Sequence, residues 1–348
     1  MSQNLRALPM ALLEWYHDHA RDLPWRMGPK ERADGARPDP YRVWLAEIML
    51  QQTTVPHGAR YFLTFTRRWP SVDALAAAKD EDVMAAWAGL GYYARARNLL
   101  KCAREVAALG GFPETAKELV KLPGIGPYTA GAVAALAFGK QAAAVDGNVE
   151  RVFARLMALE MPFKDAKSEI KRVVQTLVPA DRPAEFAEGL MDLGATVCTP
   201  KRPNCLICPL VRQCKARAAG QTERYPIKEK KKKTPRRTGH VFLLLEGENI
   251  MLERRPDKGL LGGMLGLPGS DWREGQVGAM SGAPAKADWQ QIGEVRHVFT
   301  HFSLTLTVWQ GALKGKRPKG DWKPLKDVDG LPSVFAKAFA CYAEKLGN

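Results

Sequence analysis

Four of the six cysteines in this 348-residue chain lie in one short segment, with the pattern Cys198-x6-Cys205-x2-Cys208-x5-Cys214. Four thiols so close together must converge as a disulfide pair, a zinc site or an iron–sulfur cluster. Structural zinc usually takes two short Cys or His pairs separated by a longer loop. Here there is a single Cys-x2-Cys and no histidine. The irregular spacing favours an iron–sulfur cluster over zinc, and disulfides are least favoured because nothing indicates a secreted chain.

The chain also carries a large excess of positive charge. Its 52 lysines and arginines outnumber its 37 aspartates and glutamates, for a formal net charge of +15. This bias can belong to a solvated surface, but it is more typical of a protein that works on a polyanion such as DNA. No apolar run reaches membrane-spanning length, and residues 1–23 lack the apolar core of a signal peptide. We expect a soluble, cytoplasmic protein of bacterial, nucleoid-associated type, without membrane partners, acting as a monomer.

The residue pattern changes along the chain from helical to strand-like, with a basic segment between the two parts. Residues 1–222 are Ala-rich with an apolar period near 3.6, which predicts an all-α domain. Residues 223–239 are dominated by lysine and arginine and are interpreted as a basic linker. Strand-like runs at 240–245 and 250–254 then flank a short polar turn, which predicts a hairpin. The fold class is therefore multidomain, with an α+β domain over 240–348.

A helical hairpin is predicted at about 115–138. Thr115-x-x-Glu118 is a capping box that opens a short helix. Gly124 and Gly126 form a Gly-x-Gly turn, and Pro127 suits the first turn of the next helix. A plain hairpin needs only one glycine. Two glycines leave backbone N–H groups free at a helix N-terminus, where they can bind a DNA phosphate.

Glu47 stands alone as an acid in the apolar run Val43–Leu50. It is either an edge residue of a partly exposed helix or a buried carboxyl. Burial disfavours the ionised form and raises the pKa, which suits a general acid. Gln51, four residues on, lies on the same helical face.

Asp146 precedes the predicted helix 149–159. It can be a simple N-cap, or it can be a low-pKa carboxylate at a helix N-terminus. Together, Glu47 and Asp146 would form a pair in which the acid has a raised pKa and the base has a low pKa. This is the arrangement that breaks glycosidic bonds. Whether two residues 99 positions apart meet is decided by the tertiary structure.

Several motifs occur together and in order. They are Asp22–Arg26, Trp44–Thr53, Gly89–Tyr93, Leu122–Tyr128, Val145–Val149 and the four-cysteine segment at 198–214. Together they resemble the adenine DNA glycosylases (the MutY family) of the helix-hairpin-helix superfamily, which includes endonuclease III. The resemblance implies an all-α helix-hairpin-helix glycosylase domain with an iron–sulfur module, followed by a Nudix-like domain. It also implies a 4Fe–4S cluster held by Cys198, Cys205, Cys208 and Cys214.

The resemblance further implies base-excision repair of double-stranded DNA, with adenine removed opposite 8-oxoguanine or guanine. Glu47 would protonate the flipped adenine at N7, and Asp146 would stabilise the cationic sugar. Endonuclease III-like enzymes carry a Schiff-base lysine where this chain has Tyr128. Without that amine the enzyme should be a monofunctional glycosylase.

Other residues acquire expected roles only through this resemblance. Tyr128 and Asn148 match residues that position the sugar and Asp146. Substrate-binding roles are expected for Trp25, Arg26, Leu50, Gln51 and Glu188 around the adenine, and for Gln52 and Tyr92 in the base stack. The structural alternative for Trp25, Leu50 and Tyr92 is ordinary core packing.

The C-terminal domain resembles the Nudix-like lesion-recognition domain of the same family. The segment Gly259–Pro268 matches its glycine-rich stretch, but only Asp271 and Glu274 follow, where a Nudix hydrolase needs a Glu-rich helix. The domain should bind rather than hydrolyse. Phe299-Thr300-His301 matches the loop that reads 8-oxoguanine, with Thr300 where the family more often has serine.

Two alternative functions remain open at this point. One is a glycosylase of different base specificity, such as a thymine-mismatch enzyme on the same scaffold. The other is a non-enzymatic iron–sulfur protein that only binds DNA, in which Glu47 and Asp146 are structural.

Overall fold

A computed structural model describes residues 5–227, 234–256, 259–299 and 301–346, with the side chains of 344–346 excepted. The chain separates into two compact units, residues 1–230 and 231–348. None of the described helices is both long and apolar enough to cross a membrane.

The described part of the first unit is helical. Its α-helices are α1 Leu8–His19, α2 Pro29–Ala33, α3 Pro40–Met49, α4 Val55–Arg68, α5 Val72–Ala76, α6 Asp80–Trp87, α7 Ala94–Ala108, α8 Ala116–Leu119, α9 Pro127–Phe138, α10 Gly147–Met157, α11 Phe163–Leu177, α12 Pro183–Asp192 and α13 Lys215–Ala218. A π-helical turn, Leu193–Val197, extends α12, and short 3-10 turns follow at Cys205–Ile207, Val211–Gln213 and Thr222–Arg224.

Helix α9 is the central element of this unit. It is buried from Thr129 to Ala137 and packs against α3, α8 and α12. Small residues make this possible: a Cβ at Gly131 would lie 2.4 Å from the Ala143 carbonyl oxygen. The burial of α9 holds its first turn, and hence Tyr128, in a rigid setting.

The predicted helix-hairpin-helix is confirmed. Thr115 accepts a hydrogen bond from the Glu118 N–H at 3.3 Å, as the capping box predicts. Between α8 and α9, Gly124 has φ +75°, and a Cβ there would lie 2.8 Å from that of Asn98. Glycine is therefore required for both backbone conformation and space. Pro127 begins α9, as expected.

The second unit is a mixed sheet with one helix. The described strands are β1 Arg236–Glu246, β2 Asn249–Arg254, β3 Leu265–Gly266, β4 Arg273–Glu274, β5 Gln290–Val298, β6 Ser303–Ala312 and β7 Asp321–Pro324, followed by α14 Ser333–Leu346. The main strand order is β3-β2-β1-β6-β5, with β4 paired to β1 and β7 to β2. Strands β1 and β6 are parallel, and all other pairs are antiparallel. The predicted hairpin is confirmed, with Leu245 opposite Ile250.

One predicted boundary is corrected. Strand β1 begins at Arg236, so residues 236–239 are strand and not the end of the linker. They pair in parallel with Ser303–Leu306 of β6, and the Arg237 guanidinium lies 4.4 Å from the Phe302 ring centroid. Arg236 pairs with Ser303, about 67 residues downstream, so this basic segment is extended because it hydrogen-bonds to a distant strand. Local sequence carries no trace of that pairing.

Candidate active site

A cavity of about 730 Å³ lies within the helical unit. Its walls include ten of the predicted site residues: Trp25, Arg26, Glu47, Leu50, Gln51, Gln52, Tyr128, Asp146, Asn148 and Glu188. They come from α3 and the residues that follow it, from α9 and α12, from the N-terminus of α10 and from the segment between α1 and α2. The volume is typical of a small-molecule pocket.

Glu47 is a buried carboxyl, 8% exposed, near the end of α3. Burial is the largest cause raising its pKa, to about 7. A hydrogen bond from Tyr128 opposes the rise, Asp146 and Glu188 add to it, and Arg26 opposes it. The group is thus protonated at neutral pH about as often as not, as an acid catalyst requires.

Tyr128 sits in the first turn of α9, directly after Pro127. Burial, followed by the charges of Glu47 and Asp146, raises the pKa of Tyr128 well above its ordinary value. It therefore stays neutral and donates its hydroxyl hydrogen to Glu47.

Asp146 is both an N-cap and a cavity residue. Its Oδ1 accepts from the Val149 N–H at 2.8 Å, and its Oδ2 accepts from Asn148 Nδ2 at 2.8 Å. Asn148 Oδ1 accepts in turn from Arg151 at 2.8 Å, and Arg151 also donates to the Cys198 carbonyl at 2.9 Å. The two interpretations of Asp146 are therefore compatible, because the cap fixes the carboxylate at the cavity wall.

Beneath the cavity lies a charge network that the sequence analysis missed. Arg26 donates to both oxygens of Asp192, at 2.8 and 2.7 Å, and Arg21 Nε donates to Asp192 at 2.6 Å. Glu188 accepts from the Tyr16 hydroxyl at 2.7 Å and from Arg32 at 3.2 Å. Glu188 and Asp192 lie four residues apart in the apolar helix α12. Two acids at an i, i+4 spacing in an apolar helix lie on one helical face, and this pattern could have predicted the network from the sequence.

The other residues predicted to contact the adenine or the base stack differ in where they lie relative to the cavity. Gln51 Nε2 donates to Thr129 Oγ1 at 3.4 Å, and Gln52 has a left-handed φ of 56°. Tyr92 lies outside the cavity lining and is 53% exposed. Lys167, which was not predicted, lines the cavity and pairs with Glu150 at 3.0 Å.

The four clustered cysteines are free and line one small cavity with Arg155. Arg155 donates from Nη1 to Cys198 Sγ at 3.2 Å. Burial, and then the neighbouring thiols, raise the pKa of Cys208 to about 12. Among the residues described, no group of three or more His, Cys, Asp or Glu is placed to hold a metal ion. The sequence prediction that the four thiols converge is met, but a metal geometry is not seen.

In the second unit, the predicted loop borders an aromatic cluster. Phe299 stacks on Trp272 at 5.7 Å between ring centroids, with an interplanar angle of 26°. His301 is exposed, and Thr300 lies outside the described residues. Asp271 and Glu274, the two acids after the glycine-rich segment, are both exposed, and Glu274 belongs to β4.

A helix-hairpin-helix beside a cavity that joins a buried acid to a capped carboxylate defines a base-excision DNA glycosylase. Residues 45–180 match the family described as HhH-GPD superfamily base excision DNA repair protein, and residues 240–340 match the NUDIX domain. The solved structure of a thermostable thymine-DNA glycosylase aligns with a TM-score of 0.55 and 29% identity, covering 62% of this chain and 98% of that one.

Two curated relatives narrow the class. The chain is 35% identical to the adenine DNA glycosylase of Homo sapiens over 88% of this chain and 67% of that protein. It is 31% identical to the adenine DNA glycosylase of Buchnera aphidicola subsp. Schizaphis graminum (strain Sg), over 94% of this chain and 96% of that one. The chain belongs to the adenine DNA glycosylase family. The predicted helix-hairpin-helix glycosylase domain with a Nudix-like second domain, the enzyme class and the DNA substrate are thereby confirmed, and the non-enzymatic alternative is wrong.

Proposed function

We propose that this enzyme removes adenine paired with 8-oxoguanine or guanine in duplex DNA and hydrolyses only the glycosidic bond. The observation that carries the chemistry is Glu47, a buried carboxyl with a pKa raised to about 7, in the same cavity as the N-capping carboxylate Asp146. Every proposed catalytic residue belongs to one helical unit, which fits a monomer.

The steps follow from the residues around the cavity. An adenine in a duplex must be flipped out before its glycosidic bond can be reached. Glu47 donates its proton to N7, which makes the base a better leaving group. As the bond breaks, positive charge develops on the sugar, and the Asp146 carboxylate stabilises it. The two hydrogen bonds from Val149 and Asn148 hold that carboxylate in place, and water then completes hydrolysis.

Specificity for the base is assigned to the other cavity residues. Trp25 and Leu50 supply apolar walls, while Arg26 and Glu188 supply charged groups that can hydrogen-bond to the adenine edge. Because Arg26 is held by Asp192 and Glu188 by Tyr16, both enter the cavity from fixed positions. Fixed polar groups discriminate strongly between bases, since a wrong base leaves them unpaired.

Monofunctional hydrolysis is supported by the residue after the hairpin. A phenol at Tyr128 cannot form the imine through which a lysine would open the strand. Lys167 also lines the cavity wall, but its Nζ is held by an ion pair with Glu150 at 3.0 Å.

The four cysteines would hold a 4Fe–4S cluster. Their fit is supported by the chemistry of the donors, since four free thiols line one cavity beside the Arg155 guanidinium. A bound cluster would take its four protein ligands from these thiolates. When bound, it would cross-link residues 198–214 and leave the chemistry to the cavity.

Recognition of the opposite base is assigned to the second unit. Phe299 offers a ring stacked on Trp272, the exposed His301 offers an imidazole, and Thr300 would add a hydroxyl. The two acids that follow the glycine-rich segment lie outside a helix, which supports binding rather than Nudix hydrolysis.

Single-turnover excision from otherwise identical A:8-oxoguanine, A:G and T:G duplexes tests the proposal. We expect release of adenine from the first two, fastest opposite 8-oxoguanine, and no thymine release. Asp146→Asn should slow excision at least ~100-fold through lost stabilisation of the sugar cation. Its matched control is Asp165→Asn, an exposed acid in the first turn of α11, which should cut normally. Equal rates opposite 8-oxoguanine and guanine would refute the proposed specificity.

A further inference from the structure

Two short segments of the helical unit have unusual backbone conformations. Gln52, just after α3, has φ 56°, and Tyr92, just before α7, has φ 49°. A left-handed conformation is uncommon for residues other than glycine, and it persists only where the surroundings impose it. Gln52 and Tyr92 are the two residues to which entry into the base stack is assigned.

One side chain contacts both segments. Arg95, in the first turn of α7, donates from Nη1 to the carbonyls of Ile48 at 3.1 Å and Gln51 at 2.5 Å. Its Nη2 donates to the Leu90 carbonyl at 3.0 Å. The guanidinium also lies 5.4 Å from the ring centroid of Tyr92. Arg95 thus bonds the residue before Gln52 and faces the ring of Tyr92.

The chemistry of this contact suits arginine alone. Burial lowers the pKa of Arg95, and the charge of Tyr92 opposes that shift. Its partners are backbone carbonyls, including that of Ile48 in the last turn of α3, where the carbonyl end of the helix carries partial negative charge. A planar fork can bond two segments at once, whereas the point charge of lysine cannot.

The surroundings leave this arginine room to move. Its buried Nε finds no hydrogen-bond partner among the described residues, and the same is true of Trp44 Nε1. Both residues line a cavity of about 140 Å³, together with Gln51 and Gly124 of the hairpin. A guanidinium with an unused donor and adjacent space can shift together with the segments that it holds.

We propose that Arg95 is a positioning residue that couples the Gln52 and Tyr92 segments, so that both enter the duplex in one step. The inference rests on the roles in the base stack proposed above for these two residues. If entry is a single step, loss of either side chain disables it, and loss of the second adds little. If the segments act independently, the two losses multiply.

A double-mutant cycle distinguishes these cases. Single-turnover excision, and the fluorescence of 2-aminopurine in place of the target adenine, are measured for Gln52→Ala, Tyr92→Ala and the double variant. With Arg95 intact, the double variant should be within about twofold of the slower single variant. In the Arg95→Lys background, the fold-losses should multiply.

The control is Arg104→Lys on the same helix, since Arg104 also donates to backbone carbonyls, those of Ala76 and Ala78. It should leave the cycle unchanged. If Arg95→Lys does not yield folded protein, Arg95→Gln serves, because it also removes the charged fork. The inference would be overturned if the fold-losses in excision for Gln52→Ala and Tyr92→Ala multiplied while Arg95 is intact. It would also be overturned if the coupling between the two residues were undiminished without Arg95. A wild-type enzyme without preference for 8-oxoguanine would instead refute only the proposed specificity, since the cycle can be run on A:G.

Discussion

Replacing Glu47 with glutamine should have two opposite effects. Excision should fall by ~10²–10⁴-fold, the usual contribution of a general acid, because an amide cannot supply the proton. Stability should rise above neutral pH, because the variant no longer ionises a carboxyl in a buried site. Lesion-duplex binding should be largely retained, since the side-chain shape is conserved.

The size of the stability effect follows from the pKa. In the unfolded chain the carboxyl ionises near its ordinary 4.5, whereas in the folded protein its pKa is raised to about 7. Below 4.5 both states are protonated and no penalty exists. The penalty grows between these values and is complete above about 7, where at ~1.4 kcal/mol per pH unit it reaches roughly 3 kcal/mol.

Thermal unfolding of wild type and Glu47→Gln at pH 5 and pH 8 measures this directly. Near pH 5 the variant should melt only slightly higher than wild type, and at pH 8 roughly 6–12 °C higher, given ~2–4 °C per kcal/mol for a unit of this size. The control is Glu169→Gln: this glutamate pairs with Arg172 on the surface of α11 and should give no gain at pH 8. The wild-type excision rate should also fall as pH rises through about 7. A Glu47→Gln variant that is no more stable at pH 8, or that still excises adenine, would refute the argument.

Three further predictions concern other parts of the protein. Tyr128→Lys should create a borohydride-trappable enzyme–DNA adduct, and the adduct should persist when Lys167→Ala is added; trapping that depends on Lys167 would contradict the assignment. Cys208→Ser should lose iron and sulfide together with folded protein or DNA affinity, whereas Cys341→Ser should keep all three; stoichiometric zinc in active wild type would rule out the cluster. Phe299→Ala combined with His301→Ala should remove most of the preference for 8-oxoguanine, since each base contact is worth ~1–3 kcal/mol. Val298→Ala, at a position that is 76% exposed, should not, and an unchanged preference in the double variant would place lesion recognition elsewhere.

Much of the local structure could be predicted because its causes are local. The Thr115 capping box, the Gly124 turn and the Asp146 cap each depend on residues within four positions of one another. The β1–β2 hairpin likewise follows from alternation and a short turn. The start of β1 was misplaced because residues 236–239 owe their conformation to β6, a distant partner.

The sequence by itself determined the chemical inventory: four clustered thiols, an isolated acid in an apolar helix, a carboxylate before another helix and a helical hairpin with a Gly-x-Gly turn. Tertiary structure alone decided that Glu47 faces Tyr128 and lies within the electrostatic reach of Asp146. It also decided that Asp192 and Glu188 would hold Arg26 and Tyr16 beneath them. Burial and charge proximity set a pKa, and both depend on residues brought together from distant parts of the chain. Composition and spacing therefore identify which groups can react, and packing decides which of them do.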